Sequence, residues 1–375
     1  MAEHFQIREV FNAPVVQAMG DRIKGVYLSF DQHGFESFIL PGLNGLSYSE
    51  RLGLITEALE QFLPKDFPTA ASILIDSLMD PYLSDQPGEM KDRFIVATKA
   101  AYVGRNGLGH FDISMNALYE ITRRLTAEWG VRPFFLQFPH KTLSVFNKWA
   151  VDDDPHVRRL VSEGSRPYLP WGKKIPLFEN EPMYTIPLLE KLKDDPSEYV
   201  RRSVANHLND HSKKHPDLVV QTLKRWKEEK GDKNRRRLIR HALRTLLKKG
   251  HPGALALLGF QTDARVAINN LVADKKVAIG DYLNFSFELC AFSKNKQALM
   301  VDYIIFYRKA NGGLSPRVFK LTTLAMEEGE QVFLSKRQSF KVITTRKYQL
   351  GQHRLAIQVN GVVLAEIDFE LVDLL

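Results

Sequence analysis

Asp154-Pro155-His156-Val157-Arg158-Arg159 returns as Asp195-Pro196-Ser197-Glu198-Tyr199-Val200-Arg201-Arg202, with Val157 and Val200 43 positions apart. A shorter, degenerate unit pairs Lys213-Lys214-His215-Pro216 with Lys248-Lys249-Gly250-His251-Pro252. A period of about 35 to 45 residues, two helices to the unit, is the pattern of a HEAT-like solenoid. An aspartate can cap each helix, and a proline is tolerated in its first turn. The arginines then fall one turn inside, and stacked units are expected to line them along one concave wall.

Outward from this repeat, residues 1–258 read as helical. In Arg51 to Leu63, apolar Leu52, Ile55, Ala58, Leu59, Phe62 and Leu63 recur at three- and four-residue steps before Pro64 stops the helix. Further helices fit Thr69 to Met79, Ile113 to Trp129, Pro155 to Ser162, Val200 to Ser212, Leu218 to Glu228 and Leu238 to Lys248. After Gly259 the period changes to two. Strands fit Ala264 to Leu271, Tyr282 to Phe292, Met300 to Lys309, Arg317 to Leu324, Gln331 to Leu334, Phe340 to Thr344, His353 to Val359 and Val362 to Leu371. Asn311-Gly312-Gly313 and Asn360-Gly361 supply turns. The expectation is a multidomain chain, α then β: a HEAT-like α-solenoid over 1–258, followed over 259–375 by an immunoglobulin-like β-sandwich without that fold's paired cysteines.

The 375 residues carry a formal charge of +8, yet Tyr199 to Gly250 alone holds 16 Lys and Arg against 5 Asp and Glu, a net +11. Such a block suits a polyanion, because each neutralised phosphate releases condensed counterions; a solvated helix face is the plainer alternative. The single cysteine, Cys290, excludes an intramolecular disulfide and a cysteine zinc site, and points to a reducing compartment. Met1-Ala2-Glu3-His4 opens without a basic and then apolar leader, and no run of about 18 apolar residues occurs. The expected location is therefore the cytoplasm, with no membrane contact and a monomer as the default. The chain lacks G-x-x-x-x-G-K-[ST], G-x-S-x-G and a strand-borne G-x-G-x-x-G, which argues against nucleotide hydrolysis and serine hydrolase chemistry.

Two carboxylates stand out. On a helix from Pro155, Val157, Leu160 and Val161 form the buried stripe, while Arg159, Ser162 and Glu163 share the opposite face. Arg159 and Glu163, four apart, can pair. Gly164 ends that helix, and Pro167 and Pro170 stiffen the segment bearing Tyr168 and Trp171. An ordinary surface ion pair beside a core tryptophan would look the same. Glu128 falls at the edge of the inner face of Ile113 to Trp129, where an acid must be paired or poised for chemistry. His207, His211 and His215 are spaced four apart, but Pro216 and the basic surroundings argue against metal, and none is expected.

These segments resemble the AlkC branch of the HEAT-like-repeat DNA alkylation glycosylases. The resemblance rests on Phe62-Leu63-Pro64-Lys65-Asp66-Phe67, Thr126-Ala127-Glu128-Trp129-Gly130-Val131-Arg132-Pro133-Phe134, Val157 to Pro167, Leu169-Pro170-Trp171 and Val200 to Asp210, and covers about two thirds of the chain. The C-terminal sandwich looks like the immunoglobulin-like domain that some members append. The resemblance implies hydrolysis of the N-glycosidic bond of cationic bases, 3-methyladenine first and 3-methylcytosine or 1-methyladenine with it, in double-stranded DNA. It implies no deep base flipping and no cofactor. By position it makes Glu128 and Glu163 the catalytic carboxylates and Trp171 the aromatic contact at the lesion. Arg159, Arg166, Arg201, Arg202, Asn206 and Lys213 become DNA contacts. After Glu128 the chain departs from the phenylalanine-alanine-isoleucine run expected there, having Trp129-Gly130-Val131. The rival reading is a non-catalytic HEAT-like scaffold for nucleic acid or an acidic protein, which would tolerate loss of either glutamate's charge.

Overall fold

The computed structural model describes residues 6–82, 93–229, 232–342 and 346–373. The Met1 to His4 opening and the end of the expected strand Phe340 to Thr344 lie outside these. By packing, the chain divides into two compact units, Met1–His215 with Glu229–Ala242, and Pro216–Glu228 with Leu243–Leu375.

The first unit is helical throughout and stacks its helices in neighbouring pairs. Tyr48–Phe62 packs on Val96–Asn106, which packs on Phe111–Thr122; Glu198–His211 packs on both Pro155–Gly164 and Lys233–Ala242. The apolar spacing explains the burial. Ile55, Ala58 and Leu59 of one helix, and Val157, Leu160 and Val161 of another, are fully enclosed. Asp154 caps its helix as expected, accepting from the His156 N–H at 2.8 Å. In the second copy of the repeat the helix starts later, at Glu198, with Ser197 at the cap position. Asp195 still accepts from the Ser197 N–H at 2.9 Å and also takes Arg158 in a fork, at 2.6 and 3.0 Å.

That brace corrects the picture of arginines lining one wall. Successive residues on a helix diverge by about 100°, so each Arg-Arg pair splits. Arg158 and Arg201 turn to the repeat junctions, Arg201 onto the carbonyls of Asp195 and Pro196. Arg159 and Arg202 point elsewhere.

Two expected helices also differ. Ile113 to Trp129 ends at Thr122, where the Arg123 carbonyl is taken by the Tyr82 N–H at 2.8 Å. The chain then turns so that Gly130 can press on Val96–Asn106: a Cβ there would sit 2.6 Å from the Ala100 carbonyl oxygen. Leu238 to Lys248 is two helices, Lys233–Ala242 and Arg244–Lys248, broken at Leu243.

The second unit contains Pro216–Glu228, Arg244–Lys248 and Pro252–Leu257, then eight strands: β1 (Val266–Ala273), β2 (Lys276–Ala278), β3 (Tyr282–Ala291), β4 (Gln297–Arg308), β5 (Leu314–Met326), β6 (Gln331–Ser339), β7 (Gly351–Val359) and β8 (Val362–Val372). They form a sheet β1-β3-β6 and a sheet β2-β8-β7-β4-β5, with β2 parallel to β8, an immunoglobulin-like arrangement. Alternate residues Leu283, Phe285, Phe287 and Leu289 of β3 face Val301, Tyr303 and Ile305 of β4 in one core. Asn360 and Gly361 hold positive φ, 45° and 82°, as the two-residue hairpin between β7 and β8 requires. Phe340 follows β6 outside any strand, and the short β2 is not apparent in the alternation. Cys290 is buried, and no described helix is long and apolar enough to cross a membrane.

Candidate active site

Glu163 lies in the last turn of Pro155–Gly164 and is 6% exposed, not on an open face. Gly164 makes this possible: its bare Cα lets Val131 and Phe146 pack close, drawing the end of the helix inward. The Glu163 carboxylate accepts from Arg166 Nη1 at 2.6 Å on one oxygen and from the Ser203 hydroxyl at 2.6 Å on the other. Arg159 Nη2 stands 3.6 Å away. Burial pushes the carboxyl up, but Arg159, Arg166 and Ser203 outweigh it and hold Glu163 below its ordinary range.

Glu128, 7% exposed, sits on the turn after Phe111–Thr122. Its Oε2 accepts from the Thr126 hydroxyl at 2.9 Å and from Arg159 Nη1. Arg159 thus lies between the two carboxylates, with its guanidinium 5.0 Å from the Tyr199 ring centre. Burial alone would lower the Arg159 pKa, but Glu128 above all raises it, so the cation is permanent. A third acid completes the network: Asp210 accepts from Arg166 Nε at 2.8 Å and from Lys213 at 3.0 Å. Three acids and three cations pair in alternation, which offsets most of the cost of enclosing them. Below them Arg132, 1% exposed, donates to the carbonyls of Gly164 and Arg166 at 3.1 and 2.9 Å and fixes the turn that carries Arg166. Its burial, with Arg166 nearby, lowers its pKa to about 10.

Trp171 is 75% exposed and holds φ +59°, in the left-handed region. It is not a core tryptophan. An L-residue with a bulky side chain takes this backbone at a cost of about 1–2 kcal/mol, and such strain is a pointer to function. The segment is tied down by Trp129, whose indole N–H donates to the Pro170 carbonyl at 3.3 Å, and by Tyr48, whose ring lies 5.8 Å from Trp171 and 6.5 Å from Trp129. The Tyr48 hydroxyl is buried and its pKa raised, first by burial and then by the charge of Glu128.

The structure therefore gathers Glu128, Arg159, Glu163 and Arg166 at one centre, with Lys213 at its edge. Arg201, Arg202 and Asn206 lie one repeat on, lining a cavity of about 410 Å³ together with Arg237 and His241. Arg202 is exposed and 3.3 Å from Glu198, and Asn206 meets His241 at 3.0 Å. The three spaced histidines turn inward: His207 Nδ1 donates to the Ser162 carbonyl at 2.9 Å, His211 meets Thr185 at 2.8 Å, and His215 donates to the Glu179 carbonyl at 3.0 Å. Sequence reasoning missed Asp210, Ser203, Thr126 and Tyr48. Asp210 left a signal, an acid beside the apolar face Val200, Val204 and Leu208, one repeat beyond Arg166.

Fold and site together define a HEAT-like-repeat protein that carries an enclosed carboxylate–arginine centre and an immunoglobulin-like domain. Residues 125–246 match the family model described as DNA alkylation repair enzyme, and residues 267–373 match that of the C-terminal Ig-like domain of uncharacterised protein YhaZ. The chain is 36% identical over 367 residues to uncharacterized protein YhaZ of Bacillus subtilis, spanning 97% of this chain and 99% of that one. The Pseudomonas fluorescens alkylpurine DNA glycosylase AlkC, solved bound to DNA containing an abasic site analog, matches with a TM-score of 0.89 and 35% identity, over 98% of this chain and all of that chain. The chain belongs to the DNA alkylation repair enzyme family, in its AlkC branch with a C-terminal Ig-like domain.

Proposed function

We propose that this protein is a DNA glycosylase that hydrolyses the N-glycosidic bond of cationic alkylated bases in duplex DNA. 3-Methyladenine would be its main substrate, and 3-methylcytosine or 1-methyladenine further ones. The observation that carries the reading is the Glu128–Arg159–Glu163 centre: two enclosed carboxylates, one with its pKa held below the ordinary range, and, reached through Tyr48, an exposed tryptophan in a strained backbone. The full-length likeness to the AlkC glycosylase supports it.

The chemistry suits these groups. A methylated base already carries positive charge, so the C1′–N bond can break with its electron pair neutralising the ring, and no acid is needed. What remains on the sugar is an oxocarbenium-like cation, which ionised carboxylates stabilise. Water then adds at C1′ and passes a proton to Glu128, leaving an abasic sugar and the free neutral base. Glu163, engaged by Arg166 and Ser203, supplies fixed negative charge; Glu128, at the rim of the network, is the group we assign to orient the water. The Trp171 indole adds a cation–π attraction of about 0.5–2 kcal/mol toward the charged nucleotide.

Arg159, Arg166 and Arg201 spend their donors inside the protein and act here as positioning residues. Lys213, Arg202 and Asn206, with Arg237 beside them, are assigned the phosphate contacts. All these groups come from one chain, which suits action as a monomer. The helical part, 1–258, is assigned lesion binding and catalysis, and the sandwich, 259–375, a supporting grip on DNA. The test is incubation of the whole protein with methylated duplex DNA, followed by chromatography of freed bases and sizing of the strands. The reading predicts free 3-methyladenine from uncut strands; a folded, DNA-binding protein that releases none would leave the scaffold.

A further inference from the structure

The sandwich carries a cavity of about 410 Å³ where β4 runs into β5 and the segment at residues 346–353 closes the end. Five cations line it, Arg308, Lys309, Arg317, Arg346 and Lys347. None of the five forms an ion pair with a carboxylate among the described residues, whereas Arg354, next along β7, is bound by Asp368 and Glu366. Like charges gathered without counter-charges repel one another, so the arrangement is relieved by an anion.

Two further features say which anion. Tyr307 and Tyr348 line the same space, with the Arg346 guanidinium 4.2 Å from the Tyr307 ring centre and 5.9 Å from that of Tyr348. Rings and guanidinium planes are surfaces on which a nucleobase stacks. At the back lies His353, fully buried, whose Nδ1 donates to the Gly351 carbonyl at 2.9 Å. Its Nε2 is then an acceptor, and it has no hydrogen-bond partner among the described residues. A buried acceptor without a donor is costly. An N–H or hydroxyl of a nucleoside is a donor of the kind it lacks.

We propose that this cavity is a nucleotide site, taking a nucleoside phosphate with the phosphate on Arg308, Arg317 and Lys347 and the base against Tyr348 and the Arg346–Tyr307 stack. The nucleotide is either free or an unpaired residue of a DNA strand. The site is independent of the glycosylase centre, and its failure would leave that reading untouched.

The experiment is calorimetric titration of the whole protein with thymidine monophosphate, with inorganic phosphate, with a blunt duplex and with the same duplex bearing a short single-stranded overhang. Base release is followed in parallel. Saturable binding of the mononucleotide, or tighter binding of the overhang than the blunt duplex, is expected; the first result identifies a free nucleotide and the second a DNA strand. Arg317→Glu with Lys347→Glu should weaken it at least tenfold, Tyr348→Leu about tenfold, and the control pair Lys294→Glu with Lys296→Glu less than twofold, all with the single-turnover rate of base release at saturating protein unchanged. Equal weakening by the control pair, phosphate binding as tight as the nucleotide, or no preference for nucleotide or overhang would overturn the proposal.

Discussion

Replacing Trp171 by glycine and, separately, by alanine separates what its ring does from what its backbone costs. Both variants lose the ring contact with Tyr48 at 5.8 Å, worth about 0.5–1.5 kcal/mol. The ring is 75% exposed, so little buried area goes with it. Only glycine also removes the cost of φ +59°, about 1–2 kcal/mol, offset in part by its greater freedom in the unfolded chain, about 0.4–1 kcal/mol. Trp171→Ala should therefore be destabilised by about 1 kcal/mol and Trp171→Gly should lie near the parent, some 1 kcal/mol above the alanine variant. Both should release 3-methyladenine about 2- to 30-fold more slowly, matching a lost cation–π term of 0.5–2 kcal/mol. Scanning calorimetry and single-turnover base release on the same preparations give the two quantities. Equal stability of the two variants would refute the strain argument, and unchanged release in both would remove Trp171 from the site.

Asp210→Asn should cost about 3 kcal/mol, because Arg166 keeps only Glu163. Adding Arg166→Met should cost less than the separate losses summed, a coupling that a double-mutant cycle on urea midpoints reads; additive losses would deny the network. Gly130→Ala, whose new Cβ would meet the Ala100 carbonyl at 2.6 Å, should destabilise by about 1–3 kcal/mol and slow base release by moving Glu128; a neutral outcome in both would deny the close approach. His207 and His211 are buried, and burial first of all lowers both pKa values, His211 to about 3. Below the ordinary 6.5 the unfolded chain takes up protons that the folded chain refuses. Stability should therefore be full above that value and fall as the pH drops below it, for His211 by about 1.4 kcal/mol per pH unit toward 3, with His207 adding a loss of the same sign. A urea midpoint unchanged between pH 7 and 5 would contradict this.

Much of the fold was legible because periodicity and punctuation are local. Asp154 capping its helix, the repeat at Val157 and Val200, and the Asn360-Gly361 hairpin all follow from neighbouring residues. What was not legible depends on distant partners. The turn that lifts Glu128 off the end of Phe111–Thr122 is set by Tyr82 reaching the Arg123 carbonyl and by Gly130 pressing on Ala100. Enclosure of Glu163 depends on Ser203, 40 residues away, and Arg166 finds Asp210 44 residues away. The exposure of Trp171 could not be told from a core position, since an apolar ring reads alike in both until its backbone is seen.

The most direct measurement of the central claim is single-turnover release of 3-methyladenine from duplex DNA by the intact protein and by Glu163→Gln, with binding to DNA containing an abasic site analog followed for both. Glutamine keeps the shape and removes the charge. Release should fall at least about 100-fold, the loss expected of one electrostatic group aimed at the transition state, while binding stays within a few-fold. Release retained by Glu163→Gln would contradict the account.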